Sequence, residues 1–493
     1  MTLSPNEVMQ ALAKVWPAGK LPGELPTLPE RVSVTSDSRQ VAPGDIFVAV
    51  PGGQHDGRDF IDQAIEAGAG LVLSHASQGD ITLEGRVLQL PYLTRRLGEL
   101  GRALFQLPAG PEVIGVTGTN GKSSVTHYIA ALSETLGTPA GVIGTLGVGR
   151  LGALSDTGLT TPGALAMHEA LGGLARQGVK RVALEVSSHA LAQSRLDSVD
   201  ITSGVFTNLS RDHLDYHGSM AAYAATKAKL FRRTELTLAV VNGDDPLARL
   251  MLAGCDKHVR VLATGTDEAV TLRVVGWHPH SQGQEALIAT PDGERALSLT
   301  LMGRFNLDNV LLAMAALYGA GESLDALFDA AASLSPVPGR MECYRQANAP
   351  SVVVDYAHTP DALDNALRAL AGHAGRLWCV FGCGGERDTG KRAEMARVAE
   401  AQADVVIVTD DNPRGEPAER IREEILAGFT QAQPLEVANR REAIAYAVRH
   451  AGSDDVILVA GKGHEPYQEI QGVRYPYHDG EEVRAALAAR GAR

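Results

Sequence analysis

The segment VIGVTGTNGKSS at residues 113–124 limits the possible folds more than any other part of the sequence. An apolar strand is followed by a glycine-rich turn, and a lysine and a serine then open a helix that continues through VTHYIAALSETLG. Gly118 and Gly121 allow backbone N–H groups to close around phosphate oxygens. Lys122 can reach the terminal phosphates, and Ser123 can ligate Mg²⁺. The segment therefore predicts a nucleoside triphosphate site at the end of a strand.

The spacing of this turn differs from the strict P-loop pattern. That pattern has a glycine five residues before the glycine of the GK pair, and Val116 stands there, so the match is to the shorter GTNGKS form. The alternative is an ordinary glycine-rich strand-to-helix turn. Strand, turn, lysine, hydroxyl and helix together favour the phosphate site.

Other short β-branched runs alternate with alanine- and leucine-rich helical stretches, which is typical of parallel sheets covered by helices. The strand candidates are residues 113–118, 181–188, 237–245, 351–358, 377–385, 404–413 and 455–465. Nearly all end in Gly, Asp, Asn, His or Ser. Because ligands bind beyond the carboxyl ends of strands in open α/β sheets, these ends are the expected functional positions.

The length of 493 residues predicts about three domains. Proline- and glycine-rich stretches, LPAGP at 107–111 and SPVPGR at 335–340, mark the expected boundaries. The prediction is an α/β chain with domains at residues 1–110, 111–335 and 336–493.

Composition excludes several classes of function. A formal charge of −13 disfavours general binding to nucleic acid. The four cysteines, Cys255, Cys343, Cys379 and Cys383, form no CxxC pair, so neither a structural zinc site nor a disulfide scaffold is expected. The start, MTLSPNEVMQALAKVW, is typical of an amphipathic helix rather than a signal peptide. With no apolar run long enough to span a bilayer, we expect residence in the cytoplasm without membrane insertion. We also expect a monomer.

Six separate motifs carry a resemblance to a known family. They are TGTNGKSS, EVSSHAL, FTNLSRDHLDYHG, GRFNLDN, VDYAHTPDAL and AGKGHE. In this order they resemble the Mur ligases. The resemblance implies an N-terminal domain that binds a UDP-linked precursor, a central P-loop-type ATPase domain and a C-terminal Rossmann-like domain that binds an amino acid. GCGGERD and DNPR resemble the members that add meso-diaminopimelate to UDP-N-acetylmuramoyl-L-alanyl-D-glutamate.

The implied reaction has three stages. ATP phosphorylates the free carboxylate of the D-glutamate, the amine of meso-diaminopimelate attacks the acyl phosphate, and phosphate leaves. A carboxylate is a poor electrophile, so phosphoryl transfer has to come first. The alternatives are a ligase of the same class that adds L-lysine or another amino acid, a folate polyglutamate synthase, and a nucleotide-dependent switch that forms no amide bond.

The resemblance assigns residues to ATP, the metal and catalysis. The implied ATP contacts are Gly118, Thr119, Asn120, Gly121, Lys122, Ser123, Ser124, Asn306, Arg340, Asp355 and His358. The implied Mg²⁺ ligands are Ser123, Glu185, His213 and a carbamate formed on Lys227. The implied catalytic residues are Lys122, Glu185, His213, Lys227 and Arg340. Lys229 competes with Lys227 for the carbamate, and both could instead be solvated helix lysines. His213 could be a hydrogen-bonded loop histidine, and Arg340 a structural arginine at a domain boundary.

Two further sets belong to the substrates. The precursor contacts implied are Ser36, Ser38, Gly53, Gln54, His55, Thr160, Thr161, Ser187, Gln193 and Arg195. The meso-diaminopimelate contacts implied are Arg387, Asp411, Asn412, Pro413, Arg414, Gly461 and Glu465. The planar fork of Arg414 suits the distal carboxylate that lysine lacks, and Glu465 can pair with an ammonium group. Without the family, the first set is a polar loop with helix caps, and DNPR is an Asx/Pro turn, a role that is compatible with binding.

Overall fold

The computed structural model describes residues 1–17, 19, 21–22, 26–52, 55–105, 110–280, 283–372 and 375–491. Residue contacts divide the chain into two units, Met1–Gly115 with Thr138–Thr202, and Val116–Gly137 with Ser203–Arg493. No helix within the described ranges is long and apolar enough to cross a bilayer.

The N-terminal part of the first unit is a six-stranded sheet. Its strands are β1 (Thr2–Leu3), β2 (Val32–Thr35), β3 (Ile46–Ala49), β4 (Leu71–Ala76), β5 (Thr82–Glu84) and β6 (Val87–Pro91), in the order β1-β2-β3-β4-β6-β5. The helices are α1 (Pro5–Val15), α2 (Ile61–Glu66) and α3 (Leu93–Phe105). Ser4 and Glu7 form a capping box at the start of α1, which buries Val8 and Leu12. The predicted amphipathic helix is therefore confirmed.

The next eleven strands along the chain are distributed over the two units. They are β7 (Glu112–Thr117), β8 (Ala140–Gly144), β9 (Gly147–Arg150), β10 (Ala153–Ser155), β11 (Arg181–Glu185), β12 (Ile201–Phe206), β13 (Leu238–Asn242), β14 (Arg260–Gly265), β15 (Leu272–His280), β16 (Gly283–Thr290) and β17 (Gly293–Leu299). In the first unit β8 pairs parallel with β11 and antiparallel with β9. In the second, β12 to β15 pair in parallel, and β15 to β17 form antiparallel hairpins that the sequence reading did not predict.

Eight helices accompany these strands in the described part of the chain. They are α4 (Lys122–Thr135), α5 (Ala164–Arg176), α6 (Ser188–Ala192), α7 (Leu214–His217), α8 (Met220–Ala228), α9 (Ala248–Leu252), α10 (Arg304–Gly319) and α11 (Leu324–Ala331). α4 and α10 pack closely on each other within the second unit. The start of α4 is thereby held by a helix that is buried along most of its length.

The C-terminal part of the second unit is a second parallel sheet. Its strands are β18 (Glu342–Tyr344), β19 (Ser351–Asp355), β20 (Leu377–Phe381), β21 (Val405–Val408), β22 (Leu435–Glu436) and β23 (Val456–Ala460), in the order β18-β19-β23-β20-β21-β22. Only β18 runs antiparallel to its neighbour among these described strands. The hairpin β24 (Tyr467–Ile470) and β25 (Val473–Pro476) follows. The helices are α12 (Pro360–Leu370), α13 (Gly390–Gln402), α14 (Ala418–Leu426), α15 (Arg440–His450) and α16 (Asp479–Gly491).

Alternation along β19 shows that this sheet is covered on both faces. Val353 belongs to one buried cluster, whereas Val352 and Val354 belong to the other. Every strand candidate of the sequence reading coincides with an observed strand: β7, β11, β13, β19, β20, β21 and β23. The predicted α/β class with parallel sheets is confirmed.

A buried ion pair anchors the end of β23. Arg440 and Asp479 are both fully buried, and two hydrogen bonds of 2.8 Å join the guanidinium to the carboxylate. Arg440 Nη2 also donates to the carbonyl of Ala460, the last residue of β23.

We expect Asp479→Ala to lower the free energy of unfolding by about 3–5 kcal/mol, because it leaves an uncompensated buried guanidinium. Urea unfolding followed by circular dichroism measures the change, with the exposed Asp454→Ala as the control. A loss no larger than that of the control would contradict this account.

Candidate active site

The glycine-rich turn adopts a backbone that requires its glycines. Gly118 has φ +152° and Gly121 has φ +86°, and Gly121 is the N-cap of α4. A Cβ on Gly118 would overlap Thr207 Oγ1, and a Cβ on Gly121 would lie 2.6 Å from Asn309 Oδ1. The turn is therefore closely enclosed, and it leads directly into the N-terminus of α4, the end of a helix at which anions bind.

The loop after β12 holds this turn. Asn208 accepts the N–H of Thr119 on its carbonyl (2.8 Å) and that of Asn120 on its side-chain oxygen (3.0 Å). Thr207 Oγ1 donates to the carbonyl of Asn120 at 2.5 Å. Ser210 N donates to Thr119 Oγ1 at 3.0 Å. The FTNLSRDH segment thus shapes the phosphate turn, besides carrying the predicted His213.

Two lysines meet on one carbonyl oxygen. Lys122 Nζ donates to Gly118 O (3.0 Å) and Thr119 O (2.7 Å), and Lys227 Nζ donates to Gly118 O at 2.7 Å. Burial, and then the charge of Lys122, lowers the pKa of Lys227 well below its usual range. Lys227 also lies over the Tyr223 ring, 4.7 Å from its centroid. Lys229, the competing candidate, is exposed.

His213 is the N-cap residue of α7 and has a left-handed backbone conformation, φ +54°. Its Nε2 lies 3.4 Å from Asp212 Oδ2. Burial opposes ionisation of Asp212, but the charges of His213, His358 and Lys122 outweigh it and lower the pKa of this carboxyl. Asp212 thus lies near His213, His358 and Lys122 as a carboxylate whose pKa is lowered, and it is not among the residues predicted from the sequence.

Arg340 reaches the phosphate turn from beyond the predicted linker. Its Nη2 donates to Ser123 Oγ at 3.4 Å, and its guanidinium lies over the Tyr356 ring, 4.3 Å from the centroid. Asp355 accepts the N–H of Met341 at 2.8 Å, which ties the residue after Arg340 to the end of β19. Burial raises the pKa of Asp355 to about 6, although Arg340 opposes the shift.

The other predicted ATP contacts differ in their surroundings. His358 Nδ1 lies 2.8 Å from Tyr356 O, and burial, assisted by Lys391, lowers its pKa to about 4. Asn306 is buried, donating to Met302 O (2.8 Å) and accepting from Tyr128 (3.1 Å). Its side chain is thus engaged inside the protein, whereas Asn309, one helical turn later, lies against the glycine turn.

The loop after β21 carries the residues predicted to choose the amino acid. Asp411 and Asn412 are buried, Pro413 is buried, and Arg414 is half-buried with φ +52°. Arg414 Nη1 donates to Gly385 O at 2.7 Å. The Asx/Pro turn of DNPR stays a prediction, and the guanidinium of Arg414 keeps further N–H donors for a ligand.

A buried lysine holds the carboxylate of Glu465, which follows β23, beside this loop. Lys462 Nζ is fully buried and donates to Asn412 Oδ1 (2.8 Å) and Glu465 Oε2 (3.1 Å). Asn412 Nδ2 donates to the same Glu465 oxygen at 2.7 Å. Gly461 lies against Asp411, and Arg387 is exposed. The structure brings Asn412, Gly461 and Glu465 together.

In the first unit, the residues predicted to hold the muramoyl peptide form one network. Thr161 Oγ1 donates to Glu185 O (2.7 Å) and accepts from Ser187 N (3.1 Å). Arg195 donates to Thr161 O (2.9 Å) and to Gln193 Oε1 (3.0 Å). The capping role of Ser187 at α6 coexists with this network.

Glu185 ends β11 as a buried carboxylate. Thr145 donates its N–H to Oε1 and its hydroxyl to Oε2, both at 3.0 Å. The Thr145 hydroxyl lies 3.1 Å from that of Thr160. Thr145, which the sequence reading did not name, therefore links Glu185 to the predicted precursor residue Thr160.

The predicted uridine-nucleotide contacts that the structure describes lie at mainly exposed positions in the N-terminal part of the chain. Ser36 and His55 are exposed, and Ser38 Oγ lies 3.5 Å from Gln63 Oε1. The predicted Gly53 and Gln54 lie outside the described residues.

The donors predicted for Mg²⁺ suit that ion chemically. Within the described ranges, no three His, Cys, Asp and Glu side chains are grouped as for a metal ion. The predicted set relies instead on the Ser123 hydroxyl, the Glu185 carboxylate, His213 and a carbamate on Lys227. Hard Mg²⁺ prefers such oxygens, and each carboxylate oxygen of Glu185 has a lone pair beyond its bond to Thr145.

Three family profiles match the chain in order. "Mur ligase family, catalytic domain" matches residues 32–103, "Mur ligase middle domain" residues 116–317, and "Mur ligase, glutamate ligase domain" residues 339–463. The UDP-N-acetylmuramoyl-L-alanyl-D-glutamate--2,6-diaminopimelate ligase of Xanthomonas campestris pv. campestris is 46% identical, with 92% of this chain and 93% of that protein covered. The protein of the same name from Pseudomonas aeruginosa is 46% identical, with 92% and 95% covered. The chain belongs to the Mur ligase family.

Solved structures place this Mur ligase in the three-domain architecture of the family. A structure of UDP-N-acetylmuramoyl-L-alanyl-D-glutamate--2,6-diaminopimelate ligase matches with a TM-score of 0.68 and 36% identity over all of both chains. MurF from Acinetobacter baumannii matches with a TM-score of 0.70 and 17% identity over 99% of each chain, which shows the shared fold alone.

The contacts of this Mur ligase add residues that sequence motifs did not single out. They are Thr145, Asn208, Asp212, Asn309, Tyr356, Lys462 and His464. Most lie inside the motifs themselves, next to predicted residues. Their positions in the motifs were readable, but their burial and partners depend on the tertiary structure.

Proposed function

We propose that this Mur ligase uses ATP to join meso-diaminopimelate to UDP-N-acetylmuramoyl-L-alanyl-D-glutamate in the synthesis of peptidoglycan precursors. The names of its relatives support the substrates. One structural observation carries the proposal: successive side-chain contacts connect the phosphate turn to the amino-acid loop. They run from Ser123 through Arg340 (3.4 Å), the Tyr356 ring (4.3 Å) and Glu465 (3.5 Å) to Asn412 (2.7 Å).

The phosphate end supplies positive charge where phosphoryl transfer needs it. Lys122 is held on the carbonyls of the glycine turn, and its ammonium group is placed to move onto the terminal phosphates. Arg340 lies beside Ser123 and stabilises the charge that spreads over the transferring phosphoryl group. Ser123, Glu185, His213 and a carbamate on Lys227 would hold Mg²⁺, which would neutralise phosphate charge.

The amino-acid end orients the nucleophile. Arg414 offers a fork for the distal carboxylate of meso-diaminopimelate, and Glu465 offers a carboxylate for an ammonium group. The amine that attacks has to lose its proton and meet the acyl phosphate, after which the C–O bond to phosphate breaks and the amide remains. In this proposal residues 1–110 bind the uridine nucleotide, 111–335 ATP and 336–493 the amino acid.

The acidic composition and the small-molecule substrates support a monomer that works in the cytoplasm without nucleic acid.

The decisive assay combines the purified chain with ATP, Mg²⁺, the UDP-muramoyl dipeptide, and either meso-diaminopimelate or L-lysine. ADP release and product mass should depend on the dipeptide, and kcat/KM for lysine should be lower by about 10²-fold or more, because lysine leaves the Arg414 fork unpaired. Equal efficiency with lysine would refute the assigned specificity but leave the ligase assignment intact. ATP turnover without any need for the dipeptide would refute the ligase assignment itself.

A further inference from the structure

Arg340 is held by two side chains that have no part in the reaction proposed above. Its Cζ lies 4.3 Å from the centroid of the Tyr356 ring, and its Nη1 lies 3.3 Å from His464 Nδ1. The Tyr356 and His464 rings are themselves in contact, with centroids 5.3 Å apart. We call Tyr356 and His464 the arginine clamp.

The bond from Arg340 to His464 has only one possible direction. A guanidinium has donors and no acceptor, so Nδ1 of His464 must accept and must carry no proton. Burial, and then the charge of Arg340, lowers the pKa of His464 to about 3. The imidazole is therefore neutral at physiological pH, with its proton on Nε2.

The backbones that carry Arg340 and His464 also touch. A Cβ on Gly339 would overlap His464 N, and a Cβ on Gly463 would lie 2.7 Å from Gly339 O. Gly339 and Gly463 have φ +65° and +53°. The two glycines allow the segment before Arg340 to lie directly on the GKGHE segment, so the position of one segment fixes that of the other.

The same short segment reaches the amino-acid loop. Glu465 follows His464, and its carboxylate is held by Lys462 and Asn412. On its other side, Arg340 contacts Ser123 of the phosphate turn. Thus His464 contacts the arginine at the phosphate turn, and the next residue, Glu465, belongs to the amino-acid site of the proposed reaction.

We propose that His464, with Tyr356, is a positioning residue that holds Arg340 against the phosphate turn for phosphoryl transfer. The inference rests on the proposed function, because the role of Arg340 does. The GKGHE segment, which offers Glu465 to the amino acid, thereby also fixes the position of Arg340, which acts on the phosphate.

Three substitutions at one position test the clamp. His464→Leu removes the acceptor, His464→Asn places an amide oxygen close to the position of Nδ1, and His464→Gln carries its oxygen farther out. For His464→Leu we expect kcat to fall by about 10- to 100-fold, the value of a hydrogen bond to a charged group expressed as a rate. KM for meso-diaminopimelate should stay within a few-fold, and His464→Asn should recover most of kcat whereas His464→Gln should not.

A double-mutant cycle with Arg340→Ala separates positioning from general structure. If His464 acts through Arg340, His464→Leu should cause little further loss of kcat once Arg340 is alanine. Additive losses, or equal kcat values for His464→Asn and His464→Gln, would overturn the inference. If His464→Leu does not fold, as judged by circular dichroism, the Asn and Gln pair decides alone. The unsubstituted chain reports on the proposed function separately, since its failure to form the amide would refute that function and not merely the clamp.

Discussion

Lys122→Ala should abolish ATP turnover, with kcat lowered by at least about 10²–10³-fold, and should weaken nucleotide binding. The reason is the position of this ammonium group at the start of α4, where it bonds the carbonyls of Gly118 and Thr119. Alanine leaves the helix N-terminus and the backbone N–H groups in place but removes the only flexible cation of the GTNGKS segment.

ADP release and the binding of a fluorescent ATP analogue measure the two effects. Lys257→Ala, which removes an exposed lysine, is the matched control and should behave as the parent. Thermal unfolding of both variants excludes a loss of structure as the cause. Unchanged hydrolysis and binding in Lys122→Ala would remove the phosphate-site assignment.

Lys227→Ala should also be inactive, and a small carboxylate such as acetate or formate should restore part of the activity. Carbamate formation joins the neutral amine nitrogen to the carbon of CO₂ and releases one proton, so that an oxygen-bearing anion replaces the amine. Burial, and then the charge of Lys122, lowers the pKa of Lys227 and thereby favours the neutral amine that this reaction needs.

Lys229→Ala provides a control two residues away. Lys229 is exposed, so its removal should leave kcat within a few-fold of the parent. This variant should therefore be active without added acetate or formate. The measurement is ligation rate against carboxylate concentration for the three proteins. A fully active Lys227→Ala would end the carbamate hypothesis, and loss of activity in Lys229→Ala instead would move it to that lysine.

Sequence patterns predicted the parts of this protein that depend on local order. β7, β19, β21 and β23 are recognisable because each is a short apolar run that ends at, or directly before, a polar or glycine residue. The family resemblance places its lysine four residues after Tyr223, which favours Lys227 over Lys229, and the side chains of Tyr223 and Lys227 do share one helix face.

Contacts between distant segments were not predictable in this way. Nothing in the local pattern shows that Asn306 is engaged in the interior, or that Lys462 is buried between Asn412 and Glu465. The antiparallel strands β15 to β17 do not fit the pattern of strands that alternate with helices, on which the sequence prediction depends. Tertiary packing decides these features, and the chain brings them together only after folding.

The hairpin of β24 and β25 holds the DNPR turn along most of its length. Gln468 Nε2 donates to Asp411 O (2.7 Å), Glu469 N donates to Asn412 Oδ1 (3.0 Å), and Arg414 exchanges backbone hydrogen bonds with Glu469 (3.0 Å) and Gln471 (2.7 Å). Grafting the DNPR sequence alone into a related enzyme would transfer the side chains without the hairpin that holds their backbone in this conformation. A successful exchange of amino-acid preference would have to move the hairpin as well.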